Sequence, residues 1–195
     1  YLSRLVDTQS QVLVVLPAGA NPHTYAPAPR KMEKIIRAEV YFYIGMPFES
    51  RVMDKIASMN RDVRRVNLRH EIEMLPVEHS ESGHSHHSAA DPHIWLSPPV
   101  MKKIVRSMAD VVQEMQPERA AAVTTAYVHI AHELDALNDE LHATLDGISQ
   151  RTFLVFHPAW RYFAREYELT ELAVQVEGKD PGPRDLERLI EETRA

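Results

Sequence analysis

Residues 12–44 read VLVVLPAGANPHTYAPAPRKMEKIIRAEVYFYI, and this stretch decides the fold class. Val12 to Leu16 is a continuous apolar, β-branched run closed by Pro17-Ala18-Gly19. That pattern predicts a strand buried on both faces, as in parallel sheets. Met32, Ile35 and Ile36 keep helical spacing, and Val40 to Ile44 reads as a second buried strand. Strand, helix and strand in that order predict an α/β fold with parallel-type sheets flanked by helices.

The same rhythm continues outward. A helix is expected from Phe48 to Ser58 and a short strand from Val63 to Leu68. Residues 79–90, HSESGHSHHSAA, interrupt it with a polar, low-complexity segment. Apolar residues recur at helical spacing from Pro98 to Met115, and after Pro117 through Ala122, Val123, Ala126, Ile130, Leu134, Leu137, Leu141 and Leu145. The second run predicts one helix about 40 Å long, enough to connect two lobes. Thr152 to Phe156 is a third expected buried strand, followed by a helix to Tyr167, a strand at Leu172 to Val176, and a helix opened by Asp180-Pro181-Gly182-Pro183. The expected organisation is an N-terminal α/β lobe over 1–115 with the His-rich loop 79–90, a connecting helix over 116–146, and a C-terminal α/β lobe over 147–195. About fifty residues are few for a well-buried core, so the second lobe is expected to be incomplete.

Composition narrows the chemistry. The 195 residues hold no cysteine, which excludes disulfides, thiolate zinc sites, iron–sulfur clusters and cysteine nucleophiles. His, Asp and Glu remain as strong metal ligands. With 22 Lys+Arg against 28 Asp+Glu, a formal charge of −6, the chain lacks the basic balance of a nucleic-acid binder. No apolar run approaches the roughly 20 residues that cross a bilayer. The first residues carry neither a signal-peptide pattern nor an initiator Met, so the chain is read as processed or excised. No GxSxG, P-loop or GxGxxG motif occurs, and His129-xx-His132-Glu133 has the wrong order for a zinc peptidase. His129, His132 and His142 are expected on the solvated faces of the long helix.

Three of the 11 histidines sit beside proline on short loops: Pro22-His23, Pro92-His93 and His157-Pro158. His23 and His157 follow strand-like runs, and ligands in open α/β sheets collect at the carboxyl ends of strands. Proline fixes φ and lowers the entropy cost of holding an imidazole, which suits a metal site. Each dipeptide by itself reads more readily as a turn, and it is the recurrence in three similar settings that points to metal. Three imidazoles favour zinc among common metals, with copper and nickel as further possibilities. Asp91 is placed either to orient a ligating imidazole or to cap its turn. His79, His84, His86 and His87 form a tract suited to weak auxiliary metal binding, or to a solvated linker without a role.

Residues 17–29 (PAGANPHTYAPAP), 91–98 (DPHIWLSP) and 156–164 (FHPAWRYFA) together resemble the zinc/manganese substrate-binding proteins of ABC transporters, the cluster A-I solute-binding family. The likeness spans nearly the whole chain. It implies two α/β lobes joined by one rigid long helix, with a single metal ion clamped between them by His23, His93 and His157. A histidine at the third position resembles the zinc branch, since manganese members place a carboxylate there, and the His-rich loop before Asp91 is similar to that of zinc members. The chain departs from the family pattern at Asn21 and Ala26, where members usually carry Asp and Glu. The resemblance further implies a strand before Tyr1 and second-lobe elements after Ala195, including a loop that often supplies a fourth ligand.

The expected function is therefore high-affinity capture of extracytoplasmic zinc, rather than manganese, and its delivery to an ABC-transporter permease. The protein is expected to be a monomer and not an enzyme, with no nucleic-acid partner. It is expected in a bacterial periplasm or lipid-anchored outside the cytoplasmic membrane, its signal segment absent from this chain. Proton competition for the imidazoles predicts loss of zinc between about pH 7 and 5. The alternatives are a zinc-dependent hydrolase with a three-His site, and a manganese-binding or adhesin member of the same family.

Overall fold

The computed structural model describes residues 1–76, 90–175 and 182. Two compact units emerge, each discontinuous in sequence. The first comprises Tyr1–Ile72 with Lys103–Ile130, and the second Glu73–Lys102 with Ala131–Ala195. The final helix expected after Pro183 lies outside the described residues, as does the His-rich tract.

In the first unit, α1 (Leu2–Leu5) precedes an extended segment and a proline-rich loop. There follow α2 (Pro29–Ile36), β1 (Val40–Tyr43), α3 (Pro47–Met59) and β2 (Arg64–Asn67). β1 and β2 pair in parallel, Val40 opposite Arg64 through Tyr43 opposite Asn67, with α3 as the crossover. Proline at the first helical position starts both α2 and α3, where its missing N–H costs nothing. The turn into α3 is locked by Glu49, which accepts the Gly45 and Met46 N–H groups at 2.6 Å and that of Ile44 at 3.2 Å. Burial pushes the Glu49 carboxyl up, against the lowering pull of these bonds and of Arg69. The core gathers Ile35 from α2, Tyr41 from β1, Phe48, Val52 and Ile56 from α3, and Val63.

The first expected strand is corrected. Val12 to Leu16 joins no ladder among the described residues, and Val14 is 68% exposed. Leu13, Val15 and Leu16 do pack on the core, so the run is buried on one side only. Two of its carbonyls are taken by side chains: Lys31 Nζ donates to Val14 O (3.0 Å) and Val15 O (2.9 Å), and the Tyr25 hydroxyl donates to Val15 O (2.9 Å). These bonds satisfy the backbone where a neighbouring strand otherwise would.

Two long helices contribute to both units. α4 is Pro98–Met115, as the sequence predicts, and a 3-10 turn at Pro117–Arg119 leads into α5, Ala120–Leu145. α5 has 26 residues, about 39 Å of helix. Val123, Ile130 and Leu134 are its buried stripe, while Val128 and Leu137 are exposed. No described helix is long and apolar enough to cross a membrane.

The second unit is built around β3 (Thr152–Val155), α6 (Arg161–Glu166) and β4 (Thr170–Ala173). The strands are parallel, Thr152 opposite Thr170 through Val155 opposite Ala173. β4 starts two residues before the expected strand because Thr170 N–H already bonds Arg151 O at 2.8 Å. β3 is not buried on both faces: Leu154 is 52% exposed. In the same unit, Pro76 and Ala90 form an antiparallel bridge, and Asp91 N–H donates to Leu75 O at 2.8 Å. Tyr162, 1% exposed on α6, accepts Leu75 N–H and donates to Asp91 O, both at 3.0 Å. Arg161 also donates to Pro76 O.

Candidate metal centre

His93 is placed by its neighbours in sequence. Asp91 Oδ1 accepts the His93 backbone N–H at 2.9 Å, closing an Asx turn around Pro92, and lies 2.7 Å from His93 Nδ1. Both residues are buried, Asp91 at 3% and His93 at 6% exposure. A carboxylate only accepts, so the Nδ1 proton faces Asp91 and the Nε2 lone pair becomes the donor for a metal. The backbone on either side is held in turn by Tyr162 and by Ile94 N–H bonding Pro92 O. Trp95 packs edge-on to the imidazole with centroids 5.3 Å apart.

His157 lies just past β3. The parallel ladder runs on beyond β4, with Val174 N–H on Val155 O and Gln175 N–H on Phe156 O, both at 2.8 Å. This register brings Gln175 beside His157, and its Oε1 lies 3.1 Å from Nδ1. The turn after His157 is fixed by Glu171 of β4, whose Oε1 accepts Ala159 N–H at 3.0 Å and Trp160 N–H at 3.1 Å. Burial pushes the Glu171 carboxyl up, with those two bonds pulling it down. The imidazoles of His93 and His157 meet edge to face with centroids 5.3 Å apart, and nitrogens of the two lie within 4.8 Å. Around a tetrahedral zinc, two such nitrogens stand about 3.4 Å apart, so the pair fits one ion as a two-nitrogen donor set.

His23 belongs to the first unit. Gly19, at φ +78°, supplies a left-handed turn in the loop before it. Asn21 Oδ1 accepts the His23 N–H at 2.9 Å, and Asn21 O accepts those of Thr24 (3.2 Å) and Tyr25 (3.0 Å). The Tyr25 ring packs on Phe48 at 5.4 Å, tying the loop to α3. His23 is exposed and borders a cleft of about 240 Å³ with Thr24, Tyr25, Pro47, Phe48, Ser50 and Arg51. Asn21 and Asp91 thus do the same local work: each precedes proline and bonds the amide of the histidine that follows.

His79, His84, His86 and His87 lie outside the described residues. His129, His132 and His142 are exposed on α5, as expected, with His142 resting on the Tyr167 ring at 4.9 Å. Tyr162 and Phe163 are packing residues, Phe163 meeting Phe153, Trp160 and Tyr167. The supports at Gln175, Glu171 and Tyr162 were not visible in the sequence. They arise from strand register and helix packing, and only the Asp-Pro-His spacing carried a signal.

The family described as zinc-uptake complex component A, periplasmic, matches residues 2–195. The zinc-binding protein AdcA of Streptococcus pyogenes serotype M3 is 26% identical over 186 residues, 87% of this chain and 36% of that protein. The manganese-binding lipoprotein MntA of Halalkalibacterium halodurans is 25% identical over 97% of this chain and 62% of its own length. Among solved structures, the crystal structure of ZnuA has 33% identity and a TM-score of 0.88, covering 99% of this chain and 74% of that one. A zinc-bound ZnuA lacking residues 138–173 has 32% identity and a TM-score of 0.87, covering 99% and 72%. The chain thus spans about a third of the AdcA relatives' length.

Proposed function

The chain belongs to the zinc-uptake complex component A family, and on that premise we propose that it captures zinc outside the cytoplasmic membrane and hands it to the permease of an ABC transporter. His23, His93 and His157 are the proposed ligands. The observation that carries the reading is the His93–His157 pair, whose rings meet at 5.3 Å and in which each Nδ1 has a side-chain oxygen beside it, the arrangement that suits ligation through Nε2. An all-imidazole set favours zinc over manganese, which prefers oxygen ligands. The proposed location is periplasmic or lipid-anchored on the outer side of the membrane. Membership of a transport family makes the protein a carrier and not an enzyme, so the hydrolase alternative falls.

MntA, a manganese-binding relative by name, keeps manganese as the second reading. The test is a competition titration of chelator-stripped protein with zinc and manganese, alongside His23→Ala, His157→Ala and deletion of residues 79–87. One tight zinc per chain, weakened in both point variants and kept in the deletion, is the expected result. Preference for manganese supports the second reading. Weak, multiple binding that vanishes with the deletion overturns the ligand set.

A further inference from the structure

Both imidazoles of the second unit have a side-chain oxygen at Nδ1, but the two oxygens differ in chemistry. Asp91 offers a carboxylate, buried, at 2.7 Å and from two residues away in sequence. Gln175 offers a neutral amide, half-buried, at 3.1 Å and from 18 residues away. A carboxylate accepting from a metal-bound imidazole strengthens that nitrogen as a donor and shortens the bond, which an uncharged amide does far less.

We infer that Gln175 is a positioning residue for His157: its amide oxygen holds the proton on Nδ1, makes Nε2 the ligating nitrogen, and by lacking charge keeps His157 the weaker donor of the pair. The inference rests on the reading of His157 as a zinc ligand. Gln175 is suited to the part because its own backbone is fixed by the bond from its N–H to Phe156 O, one residue before His157. The amide therefore sits on a short, rigid path to the imidazole. Neutral imidazole left to itself favours the proton on Nε2, the wrong tautomer for ligation through that atom. An oxygen facing Nδ1 reverses the preference, whereas an amide turned to present its NH2 group would enforce it. Of these two imidazoles the unstrengthened one holds the metal less firmly, so His157 lets go before His93. A carrier that must surrender its cargo gains from such an asymmetry.

The tautomer is read without metal, in long-range proton–nitrogen correlation spectra of chelator-stripped protein at about pH 8, where imidazole is neutral. The wild type is expected to show His157 protonated at Nδ1. Gln175→Ala is expected to move the proton to Nε2, and Gln175→Glu to keep it on Nδ1. In zinc competition, Gln175→Ala is expected to bind about 10- to 100-fold more weakly, and Gln175→Glu at least as tightly as wild type. A loss of packing alone would not move the tautomer, and Gln175→Glu, nearly isosteric, reports even if the alanine variant unfolds. A wild-type His157 protonated at Nε2, or an alanine variant with unchanged tautomer or unchanged affinity, overturns the inference. His157→Ala separates the two failures: unchanged zinc affinity there removes the ligand assignment, while the tautomer still judges Gln175.

Discussion

Replacing Tyr162 by Phe removes one oxygen atom from a side chain that is 1% exposed. That oxygen accepts Leu75 N–H and donates to Asp91 O, each at 3.0 Å, joining two segments separated in sequence. Loss of the bond to Asp91 O costs about 1 kcal/mol, and the stranded Leu75 N–H about 1–2 kcal/mol more. A total of about 2.5 kcal/mol in a chain of 195 residues corresponds to a fall in Tm of about 5–10 °C. Thermal melts should be run on chelator-stripped protein, because bound zinc stabilises both forms by mass action and masks the difference. Hydrogen exchange supplies the local readout, with the Leu75 amide expected to lose protection beyond the global destabilisation. A Tm within about 1 °C of wild type, with the Leu75 amide equally protected, would refute the argument that this hydroxyl clamps the two segments.

Three further predictions follow from other sites. Gly45 adopts φ +84° beneath the Arg69 guanidinium, so Gly45→Ala should cost about 1–2 kcal/mol in urea unfolding from backbone strain. Because the guanidinium can swing aside, adding Arg69→Ala should not restore the loss, and full rescue would show that the clash dominates. Glu49 is raised above 4.5 by burial, so its native form holds the proton more tightly than the unfolded one. Its favourable contribution is complete below 4.5 and is lost as pH rises through the raised native value. The stability of wild type relative to Glu49→Gln should therefore decline as pH rises from 4.5, and the opposite slope in denaturation midpoints counts against this. Trp95 touches the His93 ring, so zinc should change tryptophan emission in Trp160→Phe, which leaves Trp95 as the one tryptophan; an unchanged spectrum there counts against an ion at His93.

What the sequence disclosed depended on whether a signal was local. VYFYI at 40–44 became β1, and the span Pro98–Met115 became α4 to the residue, because β-branched runs and flanking prolines act over a few positions. VLVVL at 12–16 misled, because an apolar run does not say where its carbonyls go, and here Lys31 and Tyr25 take two of them from a later part of the chain. The Asp91 support of His93 was legible two residues away. The Gln175 support of His157 was not, because it depends on the register of β3 on β4, which no spacing rule encodes. The early start of β4 has the same origin.

The bridge between Pro76 and Ala90, with Asp91 bonded to Leu75, brings the ends of residues 77–89 to within one hydrogen bond of each other. Once two ends are fixed in this way, the entropy of closing the chain between them grows only as the logarithm of its length, about 0.6 kcal/mol per doubling. The closure thus insulates the rest of the unit from whatever is spliced in at that point. A change in the length of chain between Pro76 and Ala90 therefore costs the rest of the unit little stability. Asp91 and His93, one and three residues past the closure, can keep the same geometry throughout.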